Sequence, residues 1–146
     1  RDRVEGYVAL GKIEARLVAG GGRPAGQSRG WFVEPTVFAD VDNGSRIAQE
    51  EIFGPVLAVI PYDGDDDAVR IANDSEFGLG GSVWSSDSDH ATAIARKVAS
   101  GTVGVNGYQP ALGAPFGGIK SSGMGREFGP EALSSYQVMK SIYIMG

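Results

Sequence analysis

A carboxylate and an aromatic ring lie two residues apart in the segment Glu50 to Pro55, as Glu51 and Phe53. An ionised glutamate only accepts hydrogen bonds, so a single carboxylate can hold both hydroxyls of a ribose cis-diol in one orientation. Most protein carboxylates are solvated, and an arbitrary glutamate is more often a surface charge at a helix end, with a nearby phenylalanine in the core. Residue types alone make Glu51 a candidate for binding a sugar and leave a structural role open.

A second candidate for binding chemistry is the glycine-rich stretch Gly113 to Ser121, which comes close to a Gly-x-x-x-x-Gly-Lys-Ser phosphate loop. Ile119 intervenes and displaces Lys120 by one residue from the position that the loop requires. Gly123 and Gly125 also interrupt the helix whose N-terminus would hold the phosphate. We therefore interpret this stretch as structural.

The other chemistry-bearing residue types indicate no metal or nucleophilic site. The chain has no cysteine, which excludes disulfides, thiolate metal sites and a cysteine nucleophile within these residues. His90 is the only histidine, and no residue has the spacing of a metal or catalytic partner for it, so we expect it to be exposed. The acidic run Asp63 to Asp67 lacks the ligand spacing of a calcium loop and is typical of the first turn of a helix.

Composition and charge exclude several functional classes. The 146 residues, 42% of them hydrophobic, suit one globular domain with a core. The 13 basic and 18 acidic side chains give a formal net charge of −5, which argues against nucleic acid and acidic membranes as partners. Apolar runs are too short for a membrane span and the first residues too polar for a signal peptide, so we expect a cytoplasmic protein.

Helices and strands alternate in the predicted secondary structure that positions these residues. Predicted helices cover residues 3–15, a short polar segment ending near 50, 65–73, a segment that begins at a cap at Ser86 or Asp87, and 130–137. Predicted extended segments cover residues 16–19, 31–38, 56–60, 80–84 and 102–105. This alternation predicts an α/β fold with a parallel sheet covered on both faces.

The last residues of the chain have the pattern of a strand. Between Val138 and Ile144, Ile142 and Ile144 alternate with Ser141 and Tyr143. A strand at the extreme terminus presents unpaired backbone groups, which tend to find a partner edge. We expect this segment to pair with another chain.

Two segments, Glu50 to Leu57 and Pro115 to Glu127, carry a likeness to a known family. Both resemble the NAD(P)-dependent aldehyde dehydrogenase superfamily, and their order and separation match it as well. Further stretches that resemble it are residues 3–22, 73–80 and 101–106, so that essentially the whole chain is covered. The resemblance implies the C-terminal part of a three-layer α/β/α catalytic domain over residues 1–136 and an oligomerisation arm over residues 137–146.

The resemblance also gives the first candidate pair a role. In this family a glutamate grips the nicotinamide ribose, and the phenylalanine two residues later lies against the nicotinamide region. In this sequence these residues are Glu51 and Phe53, and the cofactor implied is NAD or NADP.

The loop from Asn106 to Phe116 follows a predicted strand, where α/β enzymes commonly place ligand contacts. In the family the equivalent loop lines the aldehyde tunnel, which makes Tyr108, Ala111 and Phe116 candidates for the substrate wall. Ordinary packing is the alternative for Tyr108 and for Leu112. The resemblance further implies that Lys120, Arg126 and Glu127 stabilise the following turns through ion pairs and hydrogen bonds.

The family's reaction needs residues that this sequence lacks. Aldehyde dehydrogenases attack the aldehyde with a cysteine thiolate, pass a hydride to the nicotinamide, and release a carboxylic acid with water activated by a glutamate. The resemblance places the nucleophile, the general base and the dinucleotide-binding half N-terminal to the position of Arg1. We therefore expect a C-terminal portion of an oxidoreductase that contains no catalytic residue and is inactive alone.

Two alternatives remain at this point. The chain could be a stand-alone assembly or regulatory module that uses residues 138–144 to join an intact enzyme, instead of forming a homo-oligomer through that strand. It could also be an unrelated phosphate-binding protein built on the loop from Gly113 to Ser121, in which case Lys120→Ala would abolish nucleotide binding.

Overall fold

The structure, a computed structural model, describes residues 1–146, which divide into two units, residues 1–63 and 64–146. Both units contain helices and strands. The elements of the first unit are α1 (Asp2–Glu14), β1 (Arg16–Ala19), β2 (Thr36–Ala39), α2 (Arg46–Gln49) and β3 (Val56–Ala58). The elements of the second unit are α3 (Gly64–Asn73), β4 (Phe77–Gly78), β5 (Gly80–Val83), α4 (Ser88–Ala95), β6 (Thr102–Val105), β7 (Ile119–Lys120) and a 3₁₀ helix (Pro130–Tyr136).

The first unit has a three-stranded sheet in the order β1, β2, β3. β2 and β3 are parallel, with Thr36 opposite Val56, while β1 pairs antiparallel with β2. The parallel pairing predicted from the sequence is thus found on one side of β2 only. The extended segment predicted over residues 31–38 forms a strand only from Thr36, because Pro35 has no N–H to donate to a ladder.

Phe38 forms the centre of the core of the first unit. Its ring is fully buried and packs with Val8, Val41 and Ile47. Gly11 of α1 faces this ring so closely that a Cβ there would lie 2.6 Å from the phenyl carbons. Glycine at this position therefore sets the distance between α1 and the sheet.

The second unit contains two short sheets. β5 and β6 are parallel from Gly80 opposite Thr102 to Val83 opposite Val105, as the α/β prediction requires. β4 and β7 form an antiparallel pair that was not predicted from the sequence, because two-residue strands are too short to show a periodicity. The predicted cap of α4 is confirmed at Asp87, whose side chain accepts hydrogen bonds from two backbone N–H groups of the first turn.

Residues 137–146 form no helix or strand and are exposed. The prediction of a strand over Val138–Ile144 is therefore wrong for the single chain, because an edge strand needs a second backbone to complete its ladder. Its pairing with another chain stays a prediction. No helix in the structure has both the length and the apolar character that crossing a membrane requires.

Two phenylalanines in the first unit allow a matched test of the core. Phe38→Ala should destabilise the protein by about 3–5 kcal/mol, because it removes a fully buried ring and leaves a cavity. Phe53→Ala removes the same atoms from a ring that is 80% exposed, and its effect should stay within about 0.5 kcal/mol. Urea denaturation monitored by circular dichroism measures both. Equal losses of stability in the two variants would contradict this packing.

Candidate functional site

Glu51 and Phe53 lie between α2 and β3 in a segment without regular secondary structure, and both are exposed. The Glu51 carboxylate has no hydrogen-bond partner in the chain, and the Phe53 ring is 80% exposed. Phe53 also has a φ of 54°, in the left-handed region that non-glycine residues rarely adopt. Within this chain Phe53 is therefore not part of the core, and both side chains are exposed.

Glu50, the residue before this pair, is held by three side-chain hydrogen bonds. Arg46 donates two hydrogen bonds to the Glu50 carboxylate, from Nε to Oε1 at 2.8 Å and from Nη2 to Oε2 at 3.0 Å. The Tyr7 hydroxyl donates to Oε2 at 2.6 Å. The hydrogen bonds from Arg46 and then from Tyr7 lower the pKa of Glu50 from 4.5 to about 2. Glu50 therefore stays ionised and hydrogen-bonded at neutral pH, and no pattern in the sequence distinguishes it from Glu51.

Three backbone contacts fix the rest of the segment. The Arg3 guanidinium donates to the Glu51 carbonyl oxygen, and Thr36 N–H donates to the Pro55 carbonyl at 2.8 Å. Gly54 packs against α1, where a Cβ would lie 2.6 Å from the methyl groups of Val4. Gly54-Pro55 is thus a point of contact with α1 as well as the entry to β3.

The second unit contains a cavity of about 230 Å³ in which the predicted substrate-wall residues come together. Tyr108, Ala111 and Phe116 all line it, together with Thr102 and Val103 of β6. Leu112 does not line it and is 78% exposed, so the packing alternative for Leu112 is wrong. The walls carry no charged side chain and are mainly apolar.

A hydrogen-bond chain positions Tyr108 in this wall. Thr102 Oγ1 donates to the Leu79 carbonyl at 3.0 Å and lies 2.7 Å from the Tyr108 hydroxyl. A threonine hydroxyl has one proton, so Tyr108 is the donor to Thr102. A Cβ at Gly80 would overlap the Tyr108 hydroxyl, which explains why glycine begins β5.

Asn106 starts the loop that carries these residues, and its role was missed at the sequence level. Its side chain accepts from Ser85 N–H and donates to the Ser85 carbonyl, both at 2.8 Å, and its φ is 53°. Asparagine tolerates this left-handed conformation better than most residues, which is the one signal that its type offered. The loop is thereby clamped to the end of β5.

Phe116 is anchored at the other end of the loop. Its backbone N–H and carbonyl each form a hydrogen bond of 2.7 Å with Glu127, and its ring lies 6.4 Å from that of Phe128. The half-buried ring is therefore held on a fixed backbone.

The stretch that resembled a phosphate loop has a structural role, as predicted. Lys120 Nζ donates to the carbonyl oxygens of Asn73 and Ser75 at 2.8 and 2.9 Å, and Arg126 donates to the Gly118 carbonyl at 2.8 Å. The predicted hydrogen bonds are thus present, and the acceptors are carbonyl groups instead of carboxylates. A lysine occupied in this way does not present its ammonium group to a phosphate.

His90 is exposed, as predicted, but it has a partner. Its Nε2 lies 2.6 Å from Asp65 Oδ2, so that the pair joins the starts of α4 and α3. The structure contains no group of three or more His, Cys, Asp or Glu side chains that could hold a metal ion.

Comparison with known proteins decides the family. The model of the aldehyde dehydrogenase family matches residues 1–142. The chain belongs to the aldehyde dehydrogenase family. A curated relative, the geranial dehydrogenase of Castellaniella defragrans, is 68% identical over 146 residues, which are 100% of this chain and 30% of the relative. The chain thus spans less than a third of the length of this aldehyde dehydrogenase.

Solved aldehyde dehydrogenases have the same fold. One from Mycobacterium tuberculosis, in complex with NAD⁺, superimposes with a TM-score of 0.90 and 57% identity over 92% of this chain and 28% of its own. Another, from Pseudomonas syringae in complex with NAD⁺ and octanal, superimposes with a TM-score of 0.89 and 46% identity over 92% of this chain and 28% of its own. These matches confirm the α/β class and the catalytic-domain fold predicted from the sequence.

Glu50 gives a prediction for the pH dependence of stability. A carboxylate with a lowered pKa stabilises the folded state fully above its unfolded value of 4.5, and the effect is lost as the pH falls toward 2. Glu50→Gln should therefore lower the thermal unfolding midpoint most at pH 7, and the difference from the unmodified protein should narrow between pH 4.5 and 2. Glu76→Gln, at an exposed glutamate, is the control. A Glu50→Gln difference that is constant from pH 7 to 2 would contradict this account.

Proposed function

We propose that residues 1–146 form the C-terminal part of the catalytic domain of a cytoplasmic NAD(P)-dependent aldehyde dehydrogenase, which oxidises an aldehyde to a carboxylic acid. The observation that carries this proposal is the cavity lined by Tyr108, Ala111 and Phe116, three residues chosen from the sequence as substrate wall. Membership of the family supports it.

The cofactor side of the proposed site is Glu51 and Phe53. A free carboxylate that only accepts hydrogen bonds fits the two hydroxyls of a ribose, and an exposed planar ring fits contact with a nicotinamide. When bound, the dinucleotide supplies the acceptor for the hydride that leaves the substrate. Glu51 orients the ribose, and Phe53 limits the positions that the attached ring can take.

The substrate side is the cavity of the second unit. Its apolar wall can bury the hydrocarbon part of an aldehyde, and the hydroxyl of Tyr108 is already bonded to Thr102. The relative from Pseudomonas syringae, solved with octanal, binds an aldehyde with such a hydrocarbon chain. We infer that Tyr108 and Phe116 exclude water from the bound aldehyde and fix its orientation.

The chain supplies these walls but no nucleophile. It contains no cysteine, and it covers 30% of the geranial dehydrogenase that it matches. We infer that the thiolate, the general base and most of the dinucleotide site lie in a longer polypeptide that includes this sequence. The 146 residues alone should then show no NAD-dependent aldehyde oxidation.

Neighbouring glycines of β5 provide the test of the substrate wall in that full-length enzyme. Gly80→Ala should displace the Tyr108 side chain and change the KM for the aldehyde by roughly tenfold, because about 1.4 kcal/mol of wall contact is altered. The KM for NAD⁺ should not change. Gly81→Ala is the control, since a Cβ there meets no atom within 4 Å. Steady-state kinetics distinguish the two, and equal aldehyde KM values in both variants would refute the assignment of the cavity.

The arm, residues 137–146, is proposed to join copies of the enzyme by strand pairing. Val138, Met139 and Ile144 are each more than 90% exposed, so that a partner would bury a large apolar surface. Ile142→Pro removes a backbone donor and should weaken self-association in sedimentation velocity more than Ile142→Ala, which keeps it. A monomer at micromolar concentration, or equal effects of both variants, would contradict this. Binding only to a different, intact enzyme would favour the assembly-module alternative.

A further inference from the structure

Two consecutive glutamates of the first unit have opposite surroundings. Both oxygens of the Glu50 carboxylate accept hydrogen bonds from Arg46, and one also accepts from Tyr7. The Glu51 carboxylate has no protein partner, while its backbone carbonyl is held by Arg3. The Glu50 carboxylate is thus hydrogen-bonded within the chain, and the Glu51 carboxylate is not.

The contacts that hold these two residues come from one face of α1 and from α2. Arg3 and Tyr7 are four residues apart on α1, and the Arg3 guanidinium lies 5.7 Å from the Tyr7 ring centre. They reach adjacent residues, Glu51 and Glu50. Arg3 and Tyr7, one helical turn apart on α1, therefore contact two successive residues of a segment that forms neither a strand nor a helix.

This anchoring is needed because the segment is not in a relaxed conformation. Phe53 has a φ of 54°, which an unconstrained phenylalanine rarely adopts. If the contacts to Glu50 are lost, the segment samples other backbone conformations and the fraction competent to bind falls. The apparent affinity for a ligand of Glu51 and Phe53 falls by the same factor.

We propose that Glu50 is a positioning residue for the cofactor: with Tyr7 and Arg46 it fixes the backbone from which Glu51 and Phe53 contact the nicotinamide riboside. This inference rests on the proposed function of Glu51 and Phe53. Because these hydrogen bonds lower the pKa of Glu50 to about 2, its carboxylate is ionised and can accept them at neutral pH.

The test uses the full-length enzyme and measures NAD⁺ binding by isothermal titration calorimetry together with amide hydrogen exchange without cofactor. Glu50→Gln should weaken NAD⁺ binding by about three- to tenfold, because it removes the charge of a two-point arginine contact. Exchange of the amides of residues 50–55 should become faster, with β2 amides unchanged. Tyr7→Phe should weaken NAD⁺ binding less than Glu50→Gln does. Arg46→Ala should also weaken NAD⁺ binding, and Arg46→Lys should retain only part of the affinity that Arg46→Ala loses.

Two further variants separate the possible failures. Glu51→Gln should weaken NAD⁺ binding without faster exchange in residues 50–55, since its carboxylate has no partner within residues 1–146. Glu76→Gln should change neither readout. If Glu51→Gln weakens binding and Glu50→Gln does not, the positioning role of Glu50 is overturned and the proposed function stands. If Glu51→Gln leaves NAD⁺ binding unchanged, the assignment of Glu51 to the cofactor is wrong. If Glu50→Gln makes amide exchange faster throughout the first unit, Glu50 stabilises the fold and has no specific positioning role.

Discussion

The packing of the Phe38 ring against Gly11 is the contact on which the first unit depends. Any side chain at position 11 would meet the ring at 2.6 Å, so α1 can lie this close to β2 only with a glycine there. That distance brings the opposite end of α1 to the segment before β3, where Arg3 donates to the Glu51 carbonyl and Tyr7 donates to the Glu50 carboxylate. A buried apolar contact thus determines the geometry of polar groups at the surface, which surface ion pairs alone define poorly.

The second unit depends on close backbone approach instead of a large core. A Cβ at Gly101 or Gly104 would overlap the carbonyl groups of Gly117 or Gly107. These glycines let the loop after β6 fold back against the strand, and Asn106 clamps its start. Part of the high glycine content, 23 of 146 residues, therefore shapes the cavity wall and does not mark flexibility.

The sequence predicted the elements that have a period and missed those that depend on distant partners. α1, β1, α3, β6 and the Asp87 cap were found because apolar spacing and cap chemistry are local signals. The antiparallel pair β4–β7 and the His90–Asp65 contact join residues far apart in sequence, which no local pattern records. The predicted terminal strand is not formed in the single chain, where residues 137–146 have no second backbone to pair with. Phe116 was chosen because it lies in a family-like motif, and Tyr108 and Ala111 because of the loop in which they lie. Only the fold shows that all three line one cavity.

The pair Glu50 and Glu51 shows most clearly where sequence reasoning ends. The two side chains are chemically identical and adjacent, so residue type alone predicts the same pKa and the same exposure for both. Their different surroundings come from Tyr7, more than 40 positions earlier, and from Arg46, one helical turn before Glu50. The hydrogen bonds of Glu50 lower its pKa and restrict its side chain, whereas the Glu51 carboxylate has no internal hydrogen bond that would have to break before it accepts one from a ligand. The Glu50 carboxylate is therefore held by internal hydrogen bonds, while the adjacent Glu51 carboxylate is exposed and has no hydrogen-bond partner in the chain.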